Sequence, residues 1–402
     1  MKNIIFLSFL SPWSMGDKKG APSFYKTIMG YTHDWNVCLI TQSDSKDEKI
    51  NIDGIHSVTY KSPFIPMLFI KKISFFGRII NSIYGTYRLY ILGKKYINKY
   101  GRNTVIYAYE VHAVKAGKIL STKFGLPLIT RFQGTVLYPI ENTQINRLKK
   151  FPHFQALETA ANVIIMTDDG TFGDKTLKRL DNTSSKIYFW KNGVDIGRNY
   201  TRNSKQIADF KRKFLISDDD KILLTVSRLV SWKRIDRAVE TLKNLIDEGH
   251  EYIKLLIVGD GEEKQNLVNM VEKYNLKNNV IFTGAVKQEE VSLCMDISDV
   301  FLSLYDLSNV GNPLLEAMNM GKPIITLNTG NTASIIKNNE NGILLDIDKF
   351  DQVSENVLKL LQDRNFSKLI GDKAKQYAQE HLCTWEERIN KEVEIVNDLL
   401  KK

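Results

Sequence analysis

Two cations, Arg228 and Lys233, stand in the stretch Val226-Ser227-Arg228-Leu229-Val230-Ser231-Trp232-Lys233, after an apolar run and before a helical one. An arginine forks two hydrogen bonds onto phosphate oxygens, and a lysine acts as a point charge. At the carboxyl end of a parallel strand, where such sheets take ligands, the pair suits a diphosphate; two solvated loop cations are the other reading. Further along, Asp306-Leu307-Ser308-Asn309-Val310-Gly311-Asn312-Pro313 leads into Leu314-Leu315-Glu316-Ala317-Met318. Asn312 suits a helix N-cap and Pro313 a first helical position. The N–H groups of Val310, Gly311 and Asn312 then form a place for an anion or a hydroxyl. Glu316, placed in the first turn, could accept both hydroxyls of a ribose or simply complement the helix dipole.

Weaker signals surround these. Gly259 and Gly261 follow the strand-like run Leu256-Ile257-Val258, where a missing side chain would let a ligand near the backbone. The turn Phe282-Thr283-Gly284-Ala285-Val286 repeats the arrangement and could present backbone groups, at Val286, to a base. Near the start, Gly16 and Gly20 form a glycine loop able to hug a phosphate but lacking full dinucleotide spacing. No Asp or Glu ends the second strand, which argues against ordinary NAD binding. Glu110, His112, Gln133 and Asp168 each follow an apolar run in the first half, at strand ends that point toward a cleft. A satisfied, non-catalytic role suits His112 better than catalysis. The pair Asp168-Asp169 reads equally as a helix cap.

The elements that must position these groups are short apolar runs alternating with helical stretches. In the first half they are Asn3–Leu10, Val37–Thr41, Val105–Ala108, Leu128–Thr130, Val163–Thr167 and Lys186–Phe189. In the second they are Ile222–Val226, Leu255–Val258, Val280–Phe282, Val300–Ser303 and Pro323–Thr326, with helices over Ile235–Asp247, Glu262–Tyr274, Gln288–Met295 and Pro313–Met320. Continuous apolar runs imply parallel strands covered on both faces. The 402 residues suit two domains of roughly 150–200 residues. Residues 1–190 and 191–382 are each expected to form a Rossmann-like domain. Residues 383–402 would be a helix returning to the first domain.

Composition narrows the function. Cys38, Cys294 and Cys383 lie far apart and the six histidines are scattered, so no disulfide framework or metal site is expected. The start, Met1–Leu7, reads as a buried strand rather than a leader, and no run reaches the roughly 18 apolar residues of a membrane span. The net charge of +10 concentrates between Gly54 and Tyr109, which hold no Asp or Glu. There Lys61, Lys71, Lys72, Arg78, Arg88, Lys94, Lys95, Lys99 and Arg102 alternate with aromatics, as in a solvated helix or a contact with an anionic membrane. No nucleic-acid motif accompanies them.

Together the motifs resemble the retaining glycosyltransferases of family 4. The resemblance runs through the loop at Gly16–Gly20, Asn192-Gly193-Val194-Asp195, Ser227-Arg228-Leu229 with Lys233, and Gly259-Asp260-Gly261-Glu262. It continues in Phe282-Thr283-Gly284, Leu315-Glu316-Ala317-Met318, Gly321-Lys322-Pro323 and Trp385-Glu386. It implies a GT-B fold, two Rossmann-like domains facing across a cleft, with residues 1–190 binding the acceptor and 191–382 the nucleotide sugar, and a UDP- or GDP-sugar donor with no metal cofactor; Glu110, His112, Gln133 and Asp168 are then the acceptor-side candidates. Arg228 and Lys233 would neutralise the leaving diphosphate in place of Mg²⁺. Glu316 would bind the nucleotide ribose, the backbone from Val310 to Asn312 the donor sugar, and the loop at Gly16–Gly20 the diphosphate from the other domain. Two departures stand out: Ser308 lies where a first glutamate, eight positions before Glu316, is usual, and Gln133 where a His is common. The implied activity is sugar transfer to a glycan or lipid-linked acceptor in bacterial surface polysaccharide synthesis, in the cytoplasm or at the membrane's inner face. A nucleotide-sugar epimerase and a non-catalytic nucleotide-sugar-binding protein are the alternatives.

Overall fold

The computed structural model describes residues 2–10, 22–43, 54–61, 67–197, 200–201 and 203–401, without the side chains of 22 and 67–76. They divide into two compact units. The first comprises residues up to Asp168, Phe172–Lys191 and Glu386–Lys402; the second comprises Asp169–Thr171 and Asn192–Trp385.

The first unit is built on β1 (Lys2–Ser8), β2 (Trp35–Ser43), β3 (Ile55–Lys61), β4 (Thr104–Tyr109), β5 (Leu128–Phe132), β6 (Val163–Thr167) and β7 (Lys186–Trp190). They pair in parallel in the order β3-β2-β1-β4-β5-β6-β7. The central strands β1, β4, β5 and β6 are buried on both faces, which is why they read as unbroken apolar runs. Edge strand β3, Ile-His-Ser-Val-Thr-Tyr-Lys, is mostly half-buried and has no such run, so the sequence reading missed it.

The second unit is built on β8 (Lys221–Val226), β9 (Ile253–Val258), β10 (Val280–Gly284), β11 (Val300–Ser303), β12 (Ile324–Leu327) and β13 (Ile343–Leu345), parallel and ordered β10-β9-β8-β11-β12-β13. The three-residue β13 also escaped the sequence reading. In each unit, one apolar layer covers either face of the sheet. The strand order reverses between β1 and β4 in the first sheet and between β8 and β11 in the second. At such a reversal the loops after neighbouring strands diverge and leave room for a ligand.

The helix Trp385–Leu399 runs from the second unit's last residue into the first unit, where its Glu392 is fully buried. The Arg131 Nη1 donates to Glu392 Oε2 at 2.5 Å, Arg388 Nη1 donates to the same oxygen at 3.0 Å, and the Tyr107 hydroxyl donates to Oε1 at 2.6 Å. Burial pushes the Glu392 carboxyl up, but Arg131 and Arg388 more than offset that and hold it below its ordinary range. This stabilisation is present above the ordinary carboxyl range and is lost as pH falls through the depressed value.

Removing Glu392 would strand the Arg131 guanidinium, whose side chain is also fully buried. Glu392→Ala is expected to destabilise the first unit by about 3–5 kcal/mol. Urea unfolding followed by hydrogen exchange of β4 and β5 checks this, and a change below 1 kcal/mol would contradict the reading.

Candidate functional site

The reversal between β8 and β11 brings together two loops that the sequence marks out. The loop after β8 carries Arg228 and Lys233 and contains a short 3-10 turn, Ser231–Lys233, before the helix Ile235–Asp247. The loop after β11 runs through Ser308 to the helix Asn312–Asn319. Several hydrogen bonds join them. The Tyr305 hydroxyl donates to Val226 O at 3.1 Å, Asp306 N donates to Trp232 O at 3.1 Å, and Lys233 Nζ donates to Ser308 O at 2.9 Å. Arg237, at 2.7 Å, and Arg234, at 3.3 Å, both pair with Asp306 of the β11 loop.

Lys233 lies 4.3 Å from the centre of the Tyr305 ring. Burial pushes its ammonium down to about 8; Asp169 opposes the shift and Arg228 adds to it. Near neutral pH the group remains a cation, partly stripped of water, which strengthens its hold on an anion. Arg228 is exposed, with its guanidinium 5.9 Å from the Trp232 ring.

Asn309 gives the β11 loop its shape. Its Oδ1 accepts from Ser303 Oγ at 3.1 Å and Tyr305 N at 3.2 Å, and its Nδ2 donates to Tyr305 O at 2.8 Å and to Thr329 Oγ1. Ser308 consequently sits at φ +60°, a conformation uncommon for a residue with a side chain. The sequence reading did not single out Asn309, because its partners are spread over β11, the loop after it and the loop after β12.

Several expectations need correction. The N-cap is Gly311, with Asn312 the first helical residue, so Glu316 falls beyond the first turn. A side chain buried there lies too far along to serve as a simple N-terminal dipole partner. The N–H of Val310 is occupied, donating to Asp169 O at 3.1 Å. Asn312 uses its Oδ1 to accept from Asn192 Nδ2 at 3.0 Å. Gly259 and Gly261 do not open onto a void: a Cβ at Gly259 would lie 1.8 Å from Ser227 O, and one at Gly261 would lie 2.3 Å from Leu229 O. These glycines seat the Arg228 loop against the next loop. Val286 packs at the margin of the apolar layer on one face of the second sheet.

In the first unit, the candidates follow β4, β5 and β6. Glu110, at φ +67°, accepts the Gln133 N–H at 2.8 Å. Gln133 Nε2 donates to the Tyr109 hydroxyl at 2.7 Å, and Thr167 Oγ1 donates to Gln133 Oε1 at 3.3 Å. His112 stacks on Phe9 at 5.2 Å, and burial lowers its pKa, so it is neutral at pH 7. Asp168 pairs with Lys191 at 2.6 Å. Its neighbour Asp169, passed over as a site residue, is the one that reaches Ser308. The structure therefore brings Glu110 and Gln133 together and places Asp168 with Lys191. Gly16 and Gly20 lie outside the described residues.

Residues 206–377 match the family described as "Glycosyl transferases group 1". The chain is 27% identical over 176 residues to N-acetyl-alpha-D-glucosaminyl L-malate synthase of Bacillus anthracis, covering 44% of this chain and 45% of that protein. It is 26% identical over 192 residues to a GDP-mannose-dependent alpha-(1-6)-phosphatidylinositol monomannoside mannosyltransferase of Mycobacterium tuberculosis, covering 46% and 49%. The matches thus span about half the length of these relatives. Among solved structures, sucrose-phosphate synthase from Thermosynechococcus elongatus superposes with a TM-score of 0.78 at 17% identity, covering both chains fully. Anabaena HepE in complex with UDP-glucose superposes at 0.73 with 16% identity, over 99% of this chain and 100% of that one. Residues 206–377 are thus similar to the glycosyl transferases group 1 family, and the two parallel sheets have the fold of GT-B glycosyltransferases.

Proposed function

We propose that this chain is a retaining glycosyltransferase that takes a sugar from a nucleoside diphosphate sugar and passes it to a hydroxyl of a glycan or lipid-linked acceptor. The observation that carries this reading is Lys233, a desolvated cation fixed to the β11 loop at the strand-order reversal of a group 1 domain. Arg228 and Lys233 meet the diphosphate and gain strength as it departs with added charge. Glu316 takes the nucleotide ribose, Gly311 and Asn312 the sugar hydroxyls, and Val286 lies beside the base. The acceptor oxygen attacks the anomeric carbon on the face that the diphosphate leaves, and a diphosphate oxygen takes the acceptor's proton. The new C–O bond thus replaces the old one on the same face, and no side chain need act as base. Glu110, His112, Gln133 and Asp168 are the acceptor-side candidates. UDP- and GDP-sugars are the donor classes, with protein cations in the role of a metal.

The membrane part of the reading rests on the helix Met67–Tyr100. Ile80, Ile83, Tyr87 and Ile91 recur at helical spacing and are all exposed, beside Arg78 and Lys95. An apolar stripe flanked by cations, with no acidic residue along the helix, suits the headgroup region of an anionic bilayer. This would keep the protein at the inner face of the cell membrane, close to a lipid-linked acceptor.

Thermal shift against UDP- and GDP-sugars should single out one donor class. With that donor, Lys233→Ala and Arg228→Ala are each expected to lower kcat by roughly 10²–10³-fold. Wild-type turnover in both would remove the assignment, and an altered epimer formed without acceptor would favour the epimerase. Flotation with vesicles containing phosphatidylglycerol should show binding that weakens with salt and is lost in the double variant Ile83→Asp, Tyr87→Asp. Equal binding by wild type and variant would sink the membrane contact alone.

A further inference from the structure

The segment Asp169–Thr171 follows β6 in the chain yet groups with the second unit. Its backbone is fixed there, with Asp169 O accepting from Val310 N at 3.1 Å. The Asp169 side chain is buried. Oδ1 accepts from Thr171 N at 3.2 Å and Thr171 Oγ1 at 2.6 Å, and Oδ2 accepts from Ser308 Oγ at 2.7 Å. Ser308 thereby joins two charges: its hydroxyl donates to the carboxylate, and its carbonyl accepts from Lys233 Nζ at 2.9 Å. Three donors hold this buried carboxylate, and one of them, Ser308, stands between it and the Lys233 ammonium.

We propose that Asp169 is the positioning residue for Lys233: through Ser308 it holds the ammonium in place and keeps it charged, and so sets the pH range over which the second unit takes a phosphate-bearing ligand. This rests on reading Lys233 as the phosphate cation, but the Asp169–Lys233 coupling can be measured without any ligand. Burial drives the Asp169 carboxyl up, while Thr171, Ser308 and Lys233 pull it back. For Lys233, burial drives the ammonium down to about 8, Asp169 resists and Arg228 assists. The remaining neighbours do not replace Asp169. Tyr305 presents a neutral ring whose hydroxyl is pushed up to about 12 by burial, and Asp306 is committed to Arg234 and Arg237. The sign follows: Lys233 is a cation below its midpoint and neutral above it. Loss of the Asp169 charge moves that midpoint down, so the cation disappears at lower pH.

The test is an NMR titration of the lysine Cε signals in the full chain, with Lys233 assigned from its loss in Lys233→Arg. In the wild type the Lys233 midpoint is expected near 8, well below ordinary lysine. In Asp169→Asn it should fall by a further ~1 pH unit or more, as expected for removal of a neighbouring opposite charge. Ser308→Ala, which keeps the carboxylate but breaks the bridge, should move it the same way by less; it also serves if Asp169→Asn does not fold. A midpoint unchanged in the folded variants overturns the proposal. In parallel, UDP binding measured by calorimetry across pH should lose its alkaline limb earlier in Asp169→Asn than in the wild type. Absence of UDP binding in the wild type at every pH would count against the functional reading, while the lysine titration would still decide the role of Asp169.

Discussion

A lysine drawn out of water must be met by oxygen, and in the second unit that requirement organises the loops. Lys233 reaches across from the β8 loop to the Ser308 carbonyl, and the meeting point exists only because Asn309 folds the β11 loop back on itself. Asn309 places Ser308 in the left-handed region, which turns its carbonyl toward the ammonium and its hydroxyl toward Asp169. The Asn309 contacts, with the Lys233 and Asp169 bonds to Ser308, offset that backbone conformation, whose cost is of order 1–3 kcal/mol. The Tyr305 ring excludes water from one side of the ammonium while its hydroxyl ties the loop to β8. Position, dehydration and charge are set by the same few residues.

That arrangement is a local answer to a topological fact. Where β8 and β11 lie side by side and the connections depart to opposite sides, their terminal loops have no helix between them. The glycines of the β9 loop let a third loop close in: Gly259 and Gly261 lie against Ser227 and Leu229, so the backbone that carries Arg228 is supported from below. Arg228 itself stays exposed, and the contrast with Lys233 divides the work. A buried cation gives a fixed, pH-sensitive anchor; an exposed guanidinium, always charged, can follow a moving anion.

How much of this was legible in the sequence depends on whether a feature is local. Arg228 and Lys233 announce themselves because they follow an unbroken apolar strand, and the strands buried on both faces are visible for the same reason. Strand β3 was not legible: half-buried at a sheet edge, it spreads its apolar residues among His, Ser, Thr and Lys. The three residues of β13 carry too little pattern to separate from a loop. Gly259 and Gly261 were recognised as positions where backbone must come close, but whether a ligand or a neighbouring loop fills the gap is a tertiary matter. Asp169 shows the limit most clearly. Its partner Ser308 is 139 positions away, so the sequence offers two adjacent aspartates and no means of telling which one faces Lys191 and which one faces the β11 loop.

The buried Glu392 carries a consequence for how such a chain is made. Arg131 and Tyr107 sit on central strands of the first sheet, yet the carboxylate that satisfies them is encoded 261 and 285 positions later. During synthesis the strands that carry Arg131 and Tyr107 therefore emerge well before the helix Trp385–Leu399 that brings their carboxylate partner. The whole of Asn192–Trp385 is translated between the first sheet and the helix that completes its buried ion pair.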